Sequence, residues 1–292
     1  MTISAKIIAD SVSPDGKRIT TMELLYPRFI HSEFMTHRCM SRNASSSRAI
    51  PIARMIADLK REPAWPIYWG SHQPGMQAGP ELEGDALESV KAHWLQAMNL
   101  NILVAENMIK HGLHKQIANR ILEPWAHIRV VVTSTEWDNF FELRAHKDAQ
   151  PEIHELAIQM KAAMEASKPK YLKVGEWHLP YVTAEDELAA HDYIKACHHE
   201  NYPVSKTEVQ LLLLQVSVAR CARVSYFTHE GKPTTISDDI KLYAKLIVAK
   251  PAHASPCEHQ ATPDPKGVLN SDDTSKWGNF VGFIQHRKIL GL

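Results

Sequence analysis

The sequence predicts an α+β fold of mixed α/β character, built as one domain over residues 1–292. Three observations predict it. Residues 3 to 30 alternate short apolar runs with turn signals, in the manner of strands. Most of the remainder carries apolar residues three and four positions apart, in the manner of helices. No low-complexity segment or linker separates the two kinds of pattern, and 292 residues at 44% hydrophobic content can enclose a sizeable core.

In chain order, Ser13-Pro14-Asp15-Gly16-Lys17 is a turn between runs able to form a hairpin. Thr20 to Phe34 reads as a strand. Residues 62 to 85, rich in Pro, Gly, Trp and Gln, read as an irregular but ordered loop, because Trp65, Tyr68 and Trp69 favour burial. Asp85 to His111 has a helical pattern, with Val90, Trp94, Ala97, Leu100, Val104 and Met108 on one stripe and Gly112 as its stop. A second helix, His114 to Leu122, is closed by Pro124. Ile128 to Val132 is β-branched. A third helix starts near Thr135 and runs through NFFELRAHKD. A fourth follows Pro151, with Ile153, Leu156, Ala157, Met160 and Met164 on one face. Residues 167 to 185 form a loop containing GEWHLP, and helical patterns return at 185–198, 207–222 and 238–249. Ser205 to Glu208 is a capping box for the second of these. The tail WGNFVGFIQHRK reads as a strand.

Composition excludes several function classes. Lys+Arg and Asp+Glu are both 33, so no excess of positive charge marks a general nucleic-acid or membrane-surface binder. The four cysteines are scattered without a CxxC pair, as expected for reduced thiols in the cytoplasm. The first twenty residues lack the features of a signal peptide, and runs such as Leu211 to Leu214 are too short to cross a bilayer. There is no GxGxxG, GxxxxGK[ST] or GxSxG motif.

Four stretches carry chemistry. THRCMSRNASSSR, residues 36 to 48, packs three arginines and four serines beside a histidine and an asparagine. Such a stretch is a Ser/Arg tract, a solvated turn, or a loop whose hydroxyls, amides and guanidinium groups hold an anion. NFFELRAHKDAQPEI, 139 to 153, interleaves Asn139, Arg144, His146 and Gln150 with aromatic residues, and is either a surface helix with a buried aromatic face or part of a site. HASPCEH, 253 to 259, is a turn with satisfied histidines or a ligand cluster, although its spacing is not HExxH. CHHE, 197 to 200, is dense in metal-ligating types, but adjacent helical residues cannot all reach one ion, and no metal is expected.

Three of these stretches together resemble the flavin-dependent thymidylate synthases. HRCMSRNASS is similar to that family's signature of Arg-His-Arg, seven residues, then Ser, with His37-Arg38 followed by Ser46 and with Asn43 and Arg48 in register. Pro27 sits where a proline is usual in the preceding strand. GLHKQIANRILEP, 112 to 124, resembles the family's helix ending in Ala-Arg-x-x-Leu-Pro, and NFFELRAHKDAQPEI its Asn-Phe-x-x-Leu-Arg…Ala-Gln-x-Glu-Ile segment. ARVSY, 222 to 226, and HASPCEH resemble elements that precede the signature in the family; here they follow it, at about 216–260. The resemblance therefore implies a circularly permuted member, an order that neighbouring chain termini tolerate. The tail's Gln285-His286-Arg287 looks like a partial second copy of the signature, or is an ordinary strand with a polar end.

The resemblance implies transfer of a one-carbon unit from methylenetetrahydrofolate to C5 of dUMP, with FAD as the redox group, NADPH as reductant and no cysteine nucleophile. It also implies a homotetramer whose sites are shared between subunits. It places Ser46 and Arg48, with Ser45 and Ser47, at the nucleotide phosphate, and Glu33, Asn119 and Arg120 at the nucleotide. His37, Arg38, Asn43, Thr133, Thr135, Asn139, Ser255 and Glu258 fall at FAD, and His253 at the flavin's folate or nicotinamide face. Arg144 becomes the catalytic residue, facing the pyrimidine and favouring its N3-ionised form.

The chain departs from the family pattern at several positions. Thr36 replaces the first signature Arg, Glu33 a Gln, Ala44 an acidic residue and Ala49 an aromatic one. Asn119, with Arg120 beside it, replaces a nucleotide-contacting Arg, and Thr133 and Thr135 replace Asn and Arg at the flavin. Arg42, Arg120 or Arg287 is then expected to restore the missing charge. Hydroxymethylation of the same nucleotide and non-catalytic nucleotide binding stay open beside methylation.

Overall fold

In the computed structural model, which describes residues 3–226 and 234–292, the Ser13–Lys17 turn joins β1 (Ser4–Val12) to β2 (Arg18–Pro27) as an antiparallel hairpin. Ser13 N–H donates to the Lys17 carbonyl at 2.8 Å, and Gly16 takes φ +77°, a backbone region that suits glycine. The expected strand to Phe34 stops at Pro27. A 3-10 turn at Arg28–Ile30 and the one-turn α1 (His31–Phe34) follow. Ile30 and Phe34 are both buried, and an i, i+4 pair meets on a helix but falls apart along a strand.

The chain continues through β3 (Ser41–Ala44), α2 (Ile52–Arg61), α3 (Gly84–Lys110), α4 (Lys115–Ala118) and β4 (His127–Ser134). The expected helix 114–122 is α4 plus a 3-10 segment, Asn119–Trp125, which accommodates Pro124 rather than ending before it. Next come α5 (Asp138–Arg144), three residues later than expected, α6 (Pro151–Ala166), β5 (Lys170–Tyr171), α7 (Ala184–Cys197) and α8 (Lys206–Tyr226). Tyr226 closes ARVSY, and its side chain lies outside the described residues. The last elements are α9 (Ile236–Val248), β6 (Ala261–Pro263), α10 (Gly267–Asn270), β7 (Phe283–Gln285) and α11 (His286–Ile289). Only Phe283–Gln285 of the expected tail strand forms one, antiparallel to β6. Pro151 and the capping box Ser205–Glu208 stand where expected, Ser205 N–H donating to Glu208 Oε2 at 2.9 Å and Glu208 N–H returning to Ser205 Oγ at 3.2 Å.

One sheet has the order β3-β4-β2-β1-β5, antiparallel except for β1 with β5. Its two faces follow from strand periodicity. Met22, Leu24, Tyr26, Ile128, Val130 and Val132 face α6, whose Ile153, Leu156, Ala157 and Met160 complete the main core. Thr21 and Thr133, paired in register across β2 and β4, face the other way, towards the two segments that carry His178 and His259. Helix α3 buries Met98, Ile102 and Ala105 with Trp94 and Ala97 of the expected stripe packed beside them, and leaves Leu100 and Val104 of that stripe, with Leu103, exposed. This helix is apolar around much of its circumference, so periodicity alone did not select a face. No helix among the described residues is long and apolar enough to cross a membrane.

Candidate active site around residues 36 to 48

The Ser/Arg-rich stretch is neither a tract nor a free turn, because its middle is β3, hydrogen-bonded to β4. Strand alternation turns Ser41, Asn43 and Ser45 inward and leaves Arg42 and Ala44 half-buried. Each inward polar group has a partner, as burial requires. Ser41 Oγ accepts from Asn279 Nδ2 at 3.3 Å and from Gln285 Nε2 at 3.2 Å. Ser45 Oγ accepts from Arg129 N–H at 3.1 Å, and Ser47 Oγ donates to Glu123 Oε1 at 2.5 Å. Ser46 N–H donates to the Ser225 carbonyl at 3.2 Å, which brings the end of α8, and with it ARVS, against the stretch.

Arg144, the last residue of α5, donates through Nε to His37 Nε2 at 2.9 Å. An arginine can only donate, so His37 Nε2 is the unprotonated nitrogen and the imidazole is neutral with its proton on Nδ1. Burial, then the Arg144 and Arg42 charges, lower the His37 pKa from its ordinary value and agree with that assignment. The His37 ring stands edge-on to Phe140 at 4.9 Å between centroids, which fixes its orientation. Arg144 Nη2 lies 3.5 Å from Thr36 Oγ1, so the threonine that departs from the family pattern is a direct neighbour of the guanidinium.

Behind the stretch runs a buried chain of polar side chains. Ser11 Oγ lies 2.9 Å from His178 Nδ1, His178 Nε2 lies 2.8 Å from Thr21 Oγ1, and Thr21 Oγ1 lies 2.7 Å from Thr133 Oγ1. Thr133 Oγ1 lies 2.8 Å from His259 Nδ1, whose Nε2 is 3.3 Å from the Asn43 amide. That amide sits between the Arg42 and Ser255 carbonyls, and with its NH2 turned to them it donates at 3.0 and 3.2 Å. His259 Nε2 faces the same NH2 and cannot donate to it, so the ring's proton is on Nδ1. The chain has one direction: His259 donates to Thr133, Thr133 to Thr21, Thr21 to His178 Nε2, and His178 Nδ1 to Ser11. Burial pushes both histidines down to about 3, so both are neutral.

The structure gathers part of the expected set and closes off the rest. His37 and Arg144 meet, while Arg38, Arg48, Asn139, His253 and Ser255 are exposed and Ser46 and Glu33 half-buried. Five expected ligand residues instead face inward, Asn43 among them, against His259. Thr133 is fully buried in the polar chain, and Asn119 is fully buried with its amide donating to the Ser47 and Ile50 carbonyls at 2.8 and 3.0 Å. Ser45 and Ser47 use their hydroxyls on Arg129 and Glu123. Thr135 Oγ1 accepts from Val281 N–H at 3.0 Å, and Glu258 is ion-paired with Arg287. Of the arginines expected to restore charge, Arg42 clamps the Phe34, Met35 and His37 carbonyls and Arg120 pairs with Glu123 at 2.9 Å. Sequence reasoning missed the parts played by His178, Thr21 and the tail's Asn279 and Gln285, because a lone polar residue carries no signal of a distant partner. Among the described residues no three metal-ligating side chains come together, and His198 of CHHE stacks on Tyr202 at 4.1 Å.

Comparison with known proteins adds the following. A family model described as thymidylate synthase complementing protein matches residues 18–170. None of the curated proteins matches the chain. Two similar solved structures are crystal structures of a UMP/dUMP methylase, PolB, from Streptomyces cacaoi, bound with 5-Br UMP and with 5-Br dUMP. The first is 18% identical with TM-score 0.45, over 56% of this chain and 88% of that one. The second is 17% identical with TM-score 0.47, over 56% and 90%. The family match spans just over half of the chain and contains β2, the 36–48 stretch, β4, α5 and α6, the elements that bring His37 to Arg144; the chain belongs to the thymidylate synthase complementing protein family.

Proposed function

We propose that the chain transfers a one-carbon unit from methylenetetrahydrofolate to C5 of a pyrimidine deoxynucleotide monophosphate, with FAD as redox group and NADPH as reductant. Family membership supports the coarser statement, an enzyme modifying C5 of a pyrimidine nucleotide. The observation that carries the finer one is the Arg144–His37 hydrogen bond, which joins two family motifs 107 residues apart.

The residues present fit a flavin cofactor at the rim of the 36–48 stretch. Arg38, Asn139, His253 and Ser255 are exposed and free to meet it, whereas Thr133 and Thr135 are committed to protein partners. Bound flavin would supply the electron transfers that leave the carbon as methyl. The chain's own side chains do the rest. Arg144, anchored through Nε, keeps its guanidinium cationic beside the neutral His37 and stabilises an ionised pyrimidine ring. Exposed Arg48 and half-buried Ser46 receive the phosphate.

The order of elements is that of a permuted family member folded as one domain. ARVS and HASPCEH, though late in the chain, pack on the signature stretch through Ser225 and Ser255. The exposed Leu100, Leu103 and Val104 on α3, with Ile117 beyond it, suit a surface covered by further copies of the chain.

Incubating the protein with dUMP, methylenetetrahydrofolate, FAD and NADPH and weighing the product tests the reading. A methyl product supports it. A hydroxymethyl product keeps the site and replaces the reaction, and a colourless protein that takes up no FAD and leaves dUMP unchanged refutes it.

A further inference from the structure

Residues 62–83, the Pro- and Trp-rich segment, play no part in the proposed reaction, yet they are tightly built. Ala64 N–H donates to the Trp125 carbonyl at 2.7 Å, and Ile67 N–H to Glu152 Oε1 at 2.5 Å. Within the segment Ser71 N–H donates to Pro80 at 2.8 Å, Gly79 N–H to Ser71 at 2.9 Å and Leu82 N–H to Trp69 at 2.9 Å. Gly70 allows this closure: a Cβ there would stand 2.4 Å from Ala78 Cβ. What the construction holds in place is a pair of half-buried indoles, Trp65 and Trp69, 5.9 Å apart and inclined at 64°, with Trp69 backed edge-on by Trp94 at 6.0 Å.

Both indoles line a hollow of about 670 Å³ that is walled also by Glu81, by Lys91 of α3 and by Glu155 and Gln159 of α6. That volume is in the range of about 300–1,000 Å³ usual for small-molecule sites. We propose that this hollow binds a flat organic cation, of the N-alkylpyridinium or N-alkylquinolinium class. Two inclined indoles offer one face for stacking and one for edge contact to a planar ring. Indole faces attract cations, and Glu81 and Glu155 outnumber the single ammonium of Lys91. Glu155 Oε1 is oriented by Gln159 Nε2 at 2.6 Å, so one wall presents a fixed carboxylate. The same charges repel a phosphate, which separates this site from the nucleotide site at Arg48.

The test is calorimetric titration of the whole protein with 1-methylquinolinium and, at pH 8, with neutral quinoline. The cation should saturate one site per chain and bind about two- to thirtyfold tighter than quinoline, the span that cation–π attraction supplies. Glu155→Gln and Glu81→Gln should each weaken the cation severalfold, and Lys91→Ala should tighten it. All three positions are at the surface, so thermal melts should match the parent protein. Trp65→Ala should weaken both probes. Equal affinity for cation and quinoline, no saturable binding, or indifference to both the Glu155 and Lys91 changes in folded protein overturns the proposal.

Discussion

Thr133→Val removes one oxygen from the centre of the buried polar chain and almost nothing else, since the two side chains have nearly the same shape. The hydroxyl stands 2.8 Å from His259 Nδ1 and 2.7 Å from Thr21 Oγ1, on a residue with no exposed surface. Thr21 keeps His178 as a partner, so its loss is one net hydrogen bond, about 0.5–1.5 kcal/mol. His259 Nδ1–H loses its acceptor and is left facing a methyl group, about 1–3 kcal/mol for an unsatisfied buried donor. The expected destabilisation is about 1.5–4.5 kcal/mol, read from the urea midpoint at constant slope. Thr133→Ser keeps the oxygen and should recover most of that loss. A Thr133→Val effect under about 0.5 kcal/mol, or a serine variant as unstable as the valine one, would refute the directed chain of donors.

Other predictions follow from other parts of the molecule. Arg144→Ala should lower kcat about 10²–10³-fold in the reconstituted assay while the melting curve stays close to that of the parent, and unchanged turnover would remove Arg144 from the mechanism. His31 and His286 are held at about 4 and His178 and His259 at about 3, chiefly by burial, below the 6.5 of a free imidazole. Their folded-state values are depressed, so their contribution is complete above about pH 6.5 and is lost as pH falls towards 4 and then 3. Stability should decline by about 1.4 kcal/mol per pH unit for each histidine protonated only in the unfolded chain, and urea midpoints that do not change between pH 7 and 5 would contradict this. Asp239 accepts from Arg220 at 2.9 Å and from Arg223 at 3.0 Å with no exposed surface, so Asp239→Asn should cost about 3–5 kcal/mol in urea unfolding, and a loss under 1 kcal/mol would count against its role. Gly70→Ala should loosen the 62–83 segment, seen as faster proteolysis within it; an unchanged cleavage rate would mean that the loop accommodates the methyl group.

What the sequence made legible was local. The face of α6 could be read because Ile153, Leu156, Ala157 and Met160 repeat at helical spacing and one core takes them all. Helix α2, IARMIADLKR, carries the same signal in Met55, Ile56 and Leu59, though over fewer turns. The face of α3 was not legible, because leucines and valines surround it and only tertiary contact decides which are covered. At the candidate site, motif resemblance pointed to His37 and Arg144, which the structure brings into contact, but it did not separate exposed residues from those that face the core. Ser45, Asn43 and Thr133 turn inward because of strand parity, and parity depends on where β3 and β4 begin. The partnership of Asn43 with His259 spans 216 positions, and nothing near either residue announces the other.

That span has a consequence for the order in which the molecule is completed. Ser41 and Asn43 leave the ribosome early, but the groups that hold them, His259, Asn279 and Gln285, are synthesised in the last eighth of the chain. Until then Ser41 and Asn43 face inward from the sheet's edge strand without those partners, and an incomplete polar layer of this kind favours contact with other chains. Chains released early, before about residue 285, should carry the sheet without a closed site and should engage chaperones more than complete ones do. Residues 259 to 285 therefore act as a completion check on a motif translated some two hundred residues before them.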